Sequence, residues 1–369
     1  MNKEDKNLLS DSEFVAVLVG YIIGVGFLIL PSIVAKEAKQ SGWISVILGA
    51  LYPLYLSLLC IYYCNSHPNE NILILSRKYL GRFLGNICNL IFITQYVLYI
   101  AQIAAGLNNV YAIYATPFLK PLKILLAAVA LATYASIKGL KVIGRVNKIV
   151  LFLTVTSSLS LITALLRGSY LNLTPLLSVG GNEIFKGTLE SIYTYGGIEA
   201  VFLLYPFAKN KNKVGALAFK ATYICVFLYV WNVVMCFYFL GYRVTAKALW
   251  PVLLVTESIN LPIINSTRFI FLLLWTTTIF NVLANEYYAV AFSIQEILNM
   301  KSSNVVRKKF VFGLPIIIYF ALELDGPIIR RSFLGKVIPK ITLFNIIFIT
   351  VIAILIFVNN KQEKKSVGE

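Results

Sequence analysis

Apolar stretches recur ten times along this chain, at about residues 14–35, 43–64, 83–113, 120–137, 146–166, 184–208, 216–241, 266–298, 309–322 and 336–358. A hydrocarbon core about 30 Å thick takes roughly 20 apolar residues per helix, so ten crossings would use about 200 residues and leave short loops. The ninth stretch is short, and the third and eighth exceed a straight crossing, which predicts tilt or extension beyond the bilayer there. Composition points the same way. Of 369 residues, 59% are apolar and 13% charged, against roughly 45–50% and 25% in an ordinary soluble domain. That excess excludes a soluble globular protein and a disordered one. The expected fold class is all-α and integral to the membrane, with about ten transmembrane helices forming a single transmembrane domain over residues 1–369.

The formal charge is +17, from 33 Lys and Arg against 16 Asp and Glu. In a soluble chain this would raise nucleic acid as a partner. Cytoplasmic loops of membrane proteins are also enriched in Lys and Arg. With the N-terminus inside, 20 of the 33 basic residues fall on the cytoplasmic side. They recur in clusters in phase with the spans, such as Lys138, Lys141, Arg145 and Lys148, or Lys209, Lys211, Lys213 and Lys220. Most of the charge therefore reads as orientation, with no nucleic-acid partner and with cytoplasmic tails at 1–12 and 360–369. The last outer loop, with Arg330, Arg331, Lys336 and Lys340, runs against this rule. Residues 1–13 are polar, mixed in charge, and lead directly into a full-length apolar stretch, so no cleavable signal peptide is expected. Cys60, Cys64, Cys88, Cys225 and Cys236 all lie in or beside apolar stretches and read as free thiols.

Two spans are interrupted by glycine at matching positions. The first carries Gly24-Val25-Gly26 followed by Phe27-Leu28-Ile29-Leu30-Pro31; the sixth carries Tyr195-Gly196-Gly197-Ile198-Glu199 followed by Leu203-Leu204-Tyr205-Pro206. Matched breaks in spans one and six of ten fit a five-plus-five inverted repeat, residues 14–166 and 184–358, because an odd number of spans makes the second half enter from the opposite side. A broken helix leaves backbone groups unpaired at several kcal/mol each, so it implies a cavity where protein, water or ligand satisfies them. Half-helix N–H ends attract an anion and carbonyl ends a cation. An amino acid could place its carboxylate near Gly26 and Gly197 and its ammonium near Gly24 and Tyr195. Gly24 and Gly26 could alternatively serve only close helix packing, as in small-xxx-small contacts, for which Gly20-Tyr21-Ile22-Ile23-Gly24 is itself a candidate.

Glu199, just after the glycine pair, and Glu286, beside Asn281 and Asn285, are intramembrane acids and hence functional candidates. Glu199 could meet a ligand ammonium, bind a proton, or cap loose backbone. Gln95, Tyr99, Gln102 and Gly106 fall on one helix face that is expected to look into the bundle, with Tyr99 a candidate pocket wall. The expected ligand-binding set is thus Gly24, Val25, Gly26, Tyr99, Tyr195, Gly196, Gly197, Glu199, Asn281 and Glu286. Cys60, Cys64 and His67 share a helical face but supply only three metal ligands, and no metal or cofactor is expected. No Gly-x-Ser-x-Gly, His-Glu-x-x-His or Walker loop occurs, and one histidine at a helix end makes a Ser-His-Asp mechanism improbable. No enzyme activity and no catalytic residue are expected.

The segment Gly24-Val25-Gly26-Phe27-Leu28-Ile29-Leu30-Pro31 resembles the first-helix signature of the amino acid–polyamine–organocation superfamily. Ser41-Gly42-Trp43-Ile44, Gly197-Ile198-Glu199 with Tyr205-Pro206, and Leu249-Trp250-Pro251 resemble one branch of it, the endospore germination permeases, which are B subunits of nutrient germinant receptors. The likeness runs over about residues 12–358. It implies a subunit in the spore inner membrane that binds a small nutrient, often an amino acid, and works with an A-type membrane subunit and a C-type lipoprotein. Its pocket, carried over by motif, falls on Gly24, Val25, Gly26, Gly196, Gly197 and Glu199. Phe207 stands where relatives tend to have an acid, and Arg268 is followed by Phe269-Ile270 where an acidic partner is common. A secondary amino-acid transporter driven by protons or sodium, with Glu199 or Glu286 as the coupling carboxylate, is the alternative reading of the same scaffold. A channel-like or purely structural membrane component is a third.

Overall fold

The computed structural model describes residues 8–175, 177, 179–258, 267–299, 314–324 and 326–367. Lys3, Lys6 and the basic residues of 301–309 lie outside the described residues. The described chain is almost entirely helical, and its long helices follow the apolar stretches.

The first stretch is two half-helices, α1 (Asp11–Ile22) and α2 (Gly26–Ala38), separated by Ile23, Gly24 and Val25. Glu13 starts α1 by reaching back to accept the Ser10 backbone N–H at 2.8 Å, satisfying a donor that the first helical turn leaves open. The second stretch is α3 (Gly42–Gly49) and α4 (Leu51–Ser66), joined at Ala50. The next three are α6 (Arg82–Tyr114), α7 (Pro121–Ile137) and α8 (Leu140–Leu159), the last extended by a 3-10 segment over Ser160–Leu166. Pro121 opens α7, where its missing N–H costs nothing. The sixth stretch is again split, into α9 (Gly181–Thr194) and the short α10 (Val201–Leu204), with Tyr195–Gly197 between. The rest are α11 (Val214–Lys247), α13 (Arg268–Ile297), α14 (Leu314–Glu323) and α15 (Pro327–Val367).

The structure adds two helices in loops. One is α5 (Ile72–Leu80), whose first turn is capped by Asn71 Oδ1 accepting from Leu73 and Ile74 N–H at 3.0 and 3.2 Å. The other is α12 (Pro251–Glu257), just after Leu249-Trp250. Both are too short to span, so a search for runs of about 20 residues passes over them. Arg330, Arg331, Lys336 and Lys340, expected in an outer loop, lie instead in the first turns of α15. At 1.5 Å per residue, the 33 residues of α6 and 34 of α11 are each about 50 Å long and outrun the hydrocarbon core. Gly241, at φ +69°, bends α11 near its end.

The half-helices form the centre of the bundle. α1 packs on α8, α11 and α13, while α2 packs on α9, α11 and α3. Large apolar side chains such as Phe83, Leu131, Phe152 and Leu273 are exposed around the outside, as expected of helices that face lipid. The two broken spans are tied together on the face where α1 begins, here termed the N-terminal face. Leu9 N–H donates to Phe207 O at 2.8 Å and Lys209 N–H donates to Leu9 O at 2.9 Å. On that face Glu13 pairs with Lys141 at 2.6 Å and Arg77 with Glu296 at 3.5 Å.

Candidate ligand-binding site

A cavity of 320 Å³ opens between the two breaks and runs toward the face opposite the N-terminal one. Its deep walls are the break residues Gly24, Val25, Gly26 and Gly196 with Tyr21, Tyr99, Gln102 and Glu286; Lys36, Lys247 and Leu249 stand at its mouth. Of the ten expected residues, Gly24, Val25, Gly26, Tyr99, Gly196 and Glu286 thus come together around one space. Tyr195, Gly197, Glu199 and Asn281 do not line it, and each has a different place.

The breaks, matched in sequence, differ in how their backbone is satisfied. In the sixth span Glu199 turns back on its own chain: Oε2 accepts the Gly197 N–H at 2.7 Å and Oε1 accepts the Tyr52 hydroxyl. Glu199 is fully buried and closes this break from behind the cavity. Gly197 has φ +104°, and a Cβ there would collide with the Tyr21 carbonyl oxygen, so both its conformation and its contact require glycine. Tyr195 turns outward and donates to Val46 O at 2.9 Å, pinning the end of α9 to α3.

The first break is less occupied. On its α2 side 3-10 turns close it, from Phe27 N–H to Gly24 O at 3.2 Å and from Leu28 N–H to Val25 O at 3.1 Å. The N–H end of α2 therefore borders the cavity, as an anion-attracting half-helix would. A Cβ at Gly24 would sit in ordinary van der Waals contact with Ile103 and Val282, both 3.8 Å away, so close packing does not require glycine there. Gly20 is the packing residue of the pair. A Cβ there would run into Asn147, Asn281 and Asn285. These three form a cluster in which Asn147 Oδ1 accepts from Asn281 at 2.7 Å and from Asn285 at 3.1 Å. Asn281 thus locks α13 to α8 behind α1.

Sequence reasoning missed Tyr229. Its hydroxyl lies 2.9 Å from Ile22 O and 3.1 Å from Thr194 O, so it joins the carbonyl ends of both half-helices, α1 and α9. Those are the carbonyls expected to receive a ligand ammonium. With 22 tyrosines in the chain and no polar pattern around this one, nothing in span seven marks it. The helical stripe behaves as its spacing predicts. Tyr99 and Gln102 line the cavity, Gln95 is buried against Asn345, and a Cβ at Gly106 would strike Val25 in the first break.

Trp250, from the Leu-Trp-Pro segment, is buried in the wall and held by an Nε1–H bond to Asn109 at 3.1 Å. Arg268 pairs with Glu257 of α12, eleven residues upstream and not among the residues that follow it. Phe207 packs edge-on against Phe292, centroids 5.4 Å apart. Among the described residues no group of three or more His, Cys, Asp or Glu could hold a metal, and Cys64 bonds the Lys211 carbonyl at 3.3 Å.

Two solved structures share this architecture. MhsT in complex with L-phenylalanine matches with a TM-score of 0.67 at 16% identity, over 93% of this chain and 87% of that one. A substrate-bound, outward-open Na+-coupled sialic acid symporter matches with a TM-score of 0.68 at 11% identity, over 92% and 78%. At such identities the likeness concerns the fold, an integral membrane bundle of inverted five-helix repeats with helices one and six broken. Among curated proteins the chain is 26% identical over 306 residues to the spore germination protein GerQB of Bacillus cereus, covering 82% of each. It is 22% identical over 365 residues to the spore germination protein YndE of Bacillus subtilis (strain 168), covering 97% of each. A spore permease family model, described as spore germination protein, matches residues 8–326, and the chain belongs to that family.

Proposed function

We propose that this protein is the nutrient-sensing subunit of a spore germinant receptor, binding a small ligand such as an amino acid in the cavity between the two breaks. Partner subunits, an A-type membrane protein and a C-type lipoprotein, would carry the signal. The observation that supports this reading is the pairing, in one buried space, of the N–H end of α2 with the carboxyl of Glu286. Together they offer one attraction for an anion and one for a cation. The family gives the biological setting, and a protein of the same fold is described with an amino acid bound.

In this reading both termini are cytoplasmic, the membrane is the spore inner membrane, and the cavity opens away from the cytoplasm. The seal on the N-terminal face then closes the inner side. Signalling requires that the ligand bind one conformation more tightly than the other, since only that difference shifts the population. The test is a nutrient panel on spores lacking this gene. Loss of response to one class of nutrient, restored by the intact gene, is expected; an unchanged profile to every nutrient refutes the role.

Proton- or sodium-coupled amino-acid transport is the second reading, favoured by an intramembrane carboxyl in the cavity of a transporter fold. Proteoliposomes separate the two. Uptake of labelled substrate against its gradient, abolished by an ionophore, would refute a pure receptor.

A further inference from the structure

Three carboxyl groups are buried among the described residues, those of Glu13, Glu199 and Glu286, and no Lys or Arg side chain is buried with them. Glu13 accepts a hydrogen bond from Lys141 Nζ at 2.6 Å. Glu199 accepts from Gly197 N–H and from Tyr52. Glu286 is as deeply buried as Glu199, yet both of its oxygens lack a hydrogen-bond partner. Two acids are among the residues that line the cavity, Glu190, which is exposed, and Glu286, which is the buried one.

An ionised carboxylate only accepts hydrogen bonds, and a buried one without a partner is so costly that it either holds a proton or is met by a cation. Among the described residues no side chain meets it with a hydrogen bond. The carbonyl ends of α1 and α9, the generic cation receptors of a broken helix, already converge on the Tyr229 hydroxyl. The surroundings of Glu286 suit an organic cation. The rings of Tyr21 and Tyr99 share the cavity with it, and Tyr21 is held in place by its hydroxyl donating to Asn285 O at 2.7 Å. Aromatic faces beside a carboxylate favour an ammonium carried on an apolar body. Ile22, Val25, Ile103 and Val282 supply apolar wall for such a body. Neither Lys36 nor Lys247, the basic residues of the mouth, hydrogen-bonds to a Glu286 oxygen.

We infer that the ligand of this cavity is an amine whose ammonium pairs with Glu286, and that Glu286 makes the site select amines over neutral or purely anionic nutrients. This rests on the cavity being the ligand site, as proposed above, and adds the ligand's essential group and the residue that reads it. In this arrangement the carboxylate of an amino acid is a secondary contact at the α2 end, and the amine is the required one.

The experiment uses the full chain in lipid nanodiscs and three families of probes. These are alanine, leucine and phenylalanine; the corresponding amines ethylamine, 3-methylbutylamine and phenethylamine; and the corresponding acids propionate, 4-methylpentanoate and 3-phenylpropionate. Binding is read by calorimetry at neutral pH. In the family that binds, the amine is expected to retain affinity while the acid loses at least tenfold. Glu286→Gln is expected to reduce amine binding at least tenfold and to abolish the preference of amine over acid. An acid that binds as well as its amine overturns the inference while leaving the cavity reading intact, as does a folded Glu286→Gln protein with unchanged affinities. The wild-type amine–acid comparison needs no variant, so it decides even if Glu286→Gln folds poorly. If none of the nine probes binds the wild-type protein, the inference falls together with the reading on which it rests.

Discussion

Replacing Glu199 by Gln and by Ala separates a backbone-capping role from a ligand-binding one. In the structure the carboxylate accepts two hydrogen bonds, from Gly197 N–H at 2.7 Å and from the Tyr52 hydroxyl. Glutamine can keep both. Its carbonyl oxygen faces the Gly197 N–H, and its NH₂ donates to Tyr52, whose hydroxyl both donates and accepts. What is lost is charge assistance, about 0.5–2 kcal/mol per bond, offset in part because no buried charge remains. Alanine leaves two buried donors without acceptors at about 1–3 kcal/mol each, so roughly 2–6 kcal/mol in all. The expected order is wild type, then Glu199→Gln within about 1–2 kcal/mol, then Glu199→Ala well below both. Chemical denaturation of the purified chain in nanodiscs measures this order, and the germination dose–response of spores carrying each variant measures function. Glu199→Gln is expected to keep its response, with Glu199→Ala losing it along with folded protein. A Glu199→Ala chain as stable as Glu199→Gln would refute the capping argument. So would a Glu199→Gln chain that folds normally yet no longer responds.

Gly24→Leu is expected to fill the cavity at the open side of the first break and abolish the nutrient response while the protein still reaches the membrane, because a Cβ there meets nothing nearer than 3.8 Å; an unchanged dose–response excludes this site. Gly197→Ala combines a left-handed backbone, at about 1–2 kcal/mol for a residue with a Cβ, with a collision against Tyr21 O. It should therefore lower membrane levels of the protein on immunoblots where Gly24→Leu does not. Tyr229→Phe removes the donor shared by Ile22 O and Thr194 O and leaves buried carbonyls unpaired, at about 1–3 kcal/mol. Unfolding in nanodiscs at wild-type denaturant concentration would show that the clamp contributes nothing.

The fold was legible because lipid imposes a simple rule on sequence. Each span must be apolar over about 20 residues, so stretch lengths alone announced the long helices, and the glycines at 24, 26, 196 and 197 announced the breaks. Helices α5 and α12 obey no such rule and were invisible. The site was legible in outline only. Both breaks carry glycine and flanking apolar residues, yet their backbones are satisfied differently, one by Glu199 two residues away and the other by 3-10 turns and the Tyr229 hydroxyl. Glu199 and Glu286 are both lone acids in apolar runs. Which of them meets a backbone N–H and which is left without a hydrogen-bond partner depends on how α4, α6 and α13 pack around the half-helices.

Sequence by itself determined that this chain lives in a membrane as ten helices, with its first and sixth interrupted, because the hydrophobic requirement of the bilayer acts on each segment alone. Tertiary structure alone decided where the charge is exposed to a ligand. Packing brings Tyr52, 147 residues away in the chain, to Glu199 beside the neighbouring Gly197 N–H, while among the described residues no hydrogen-bond partner reaches Glu286.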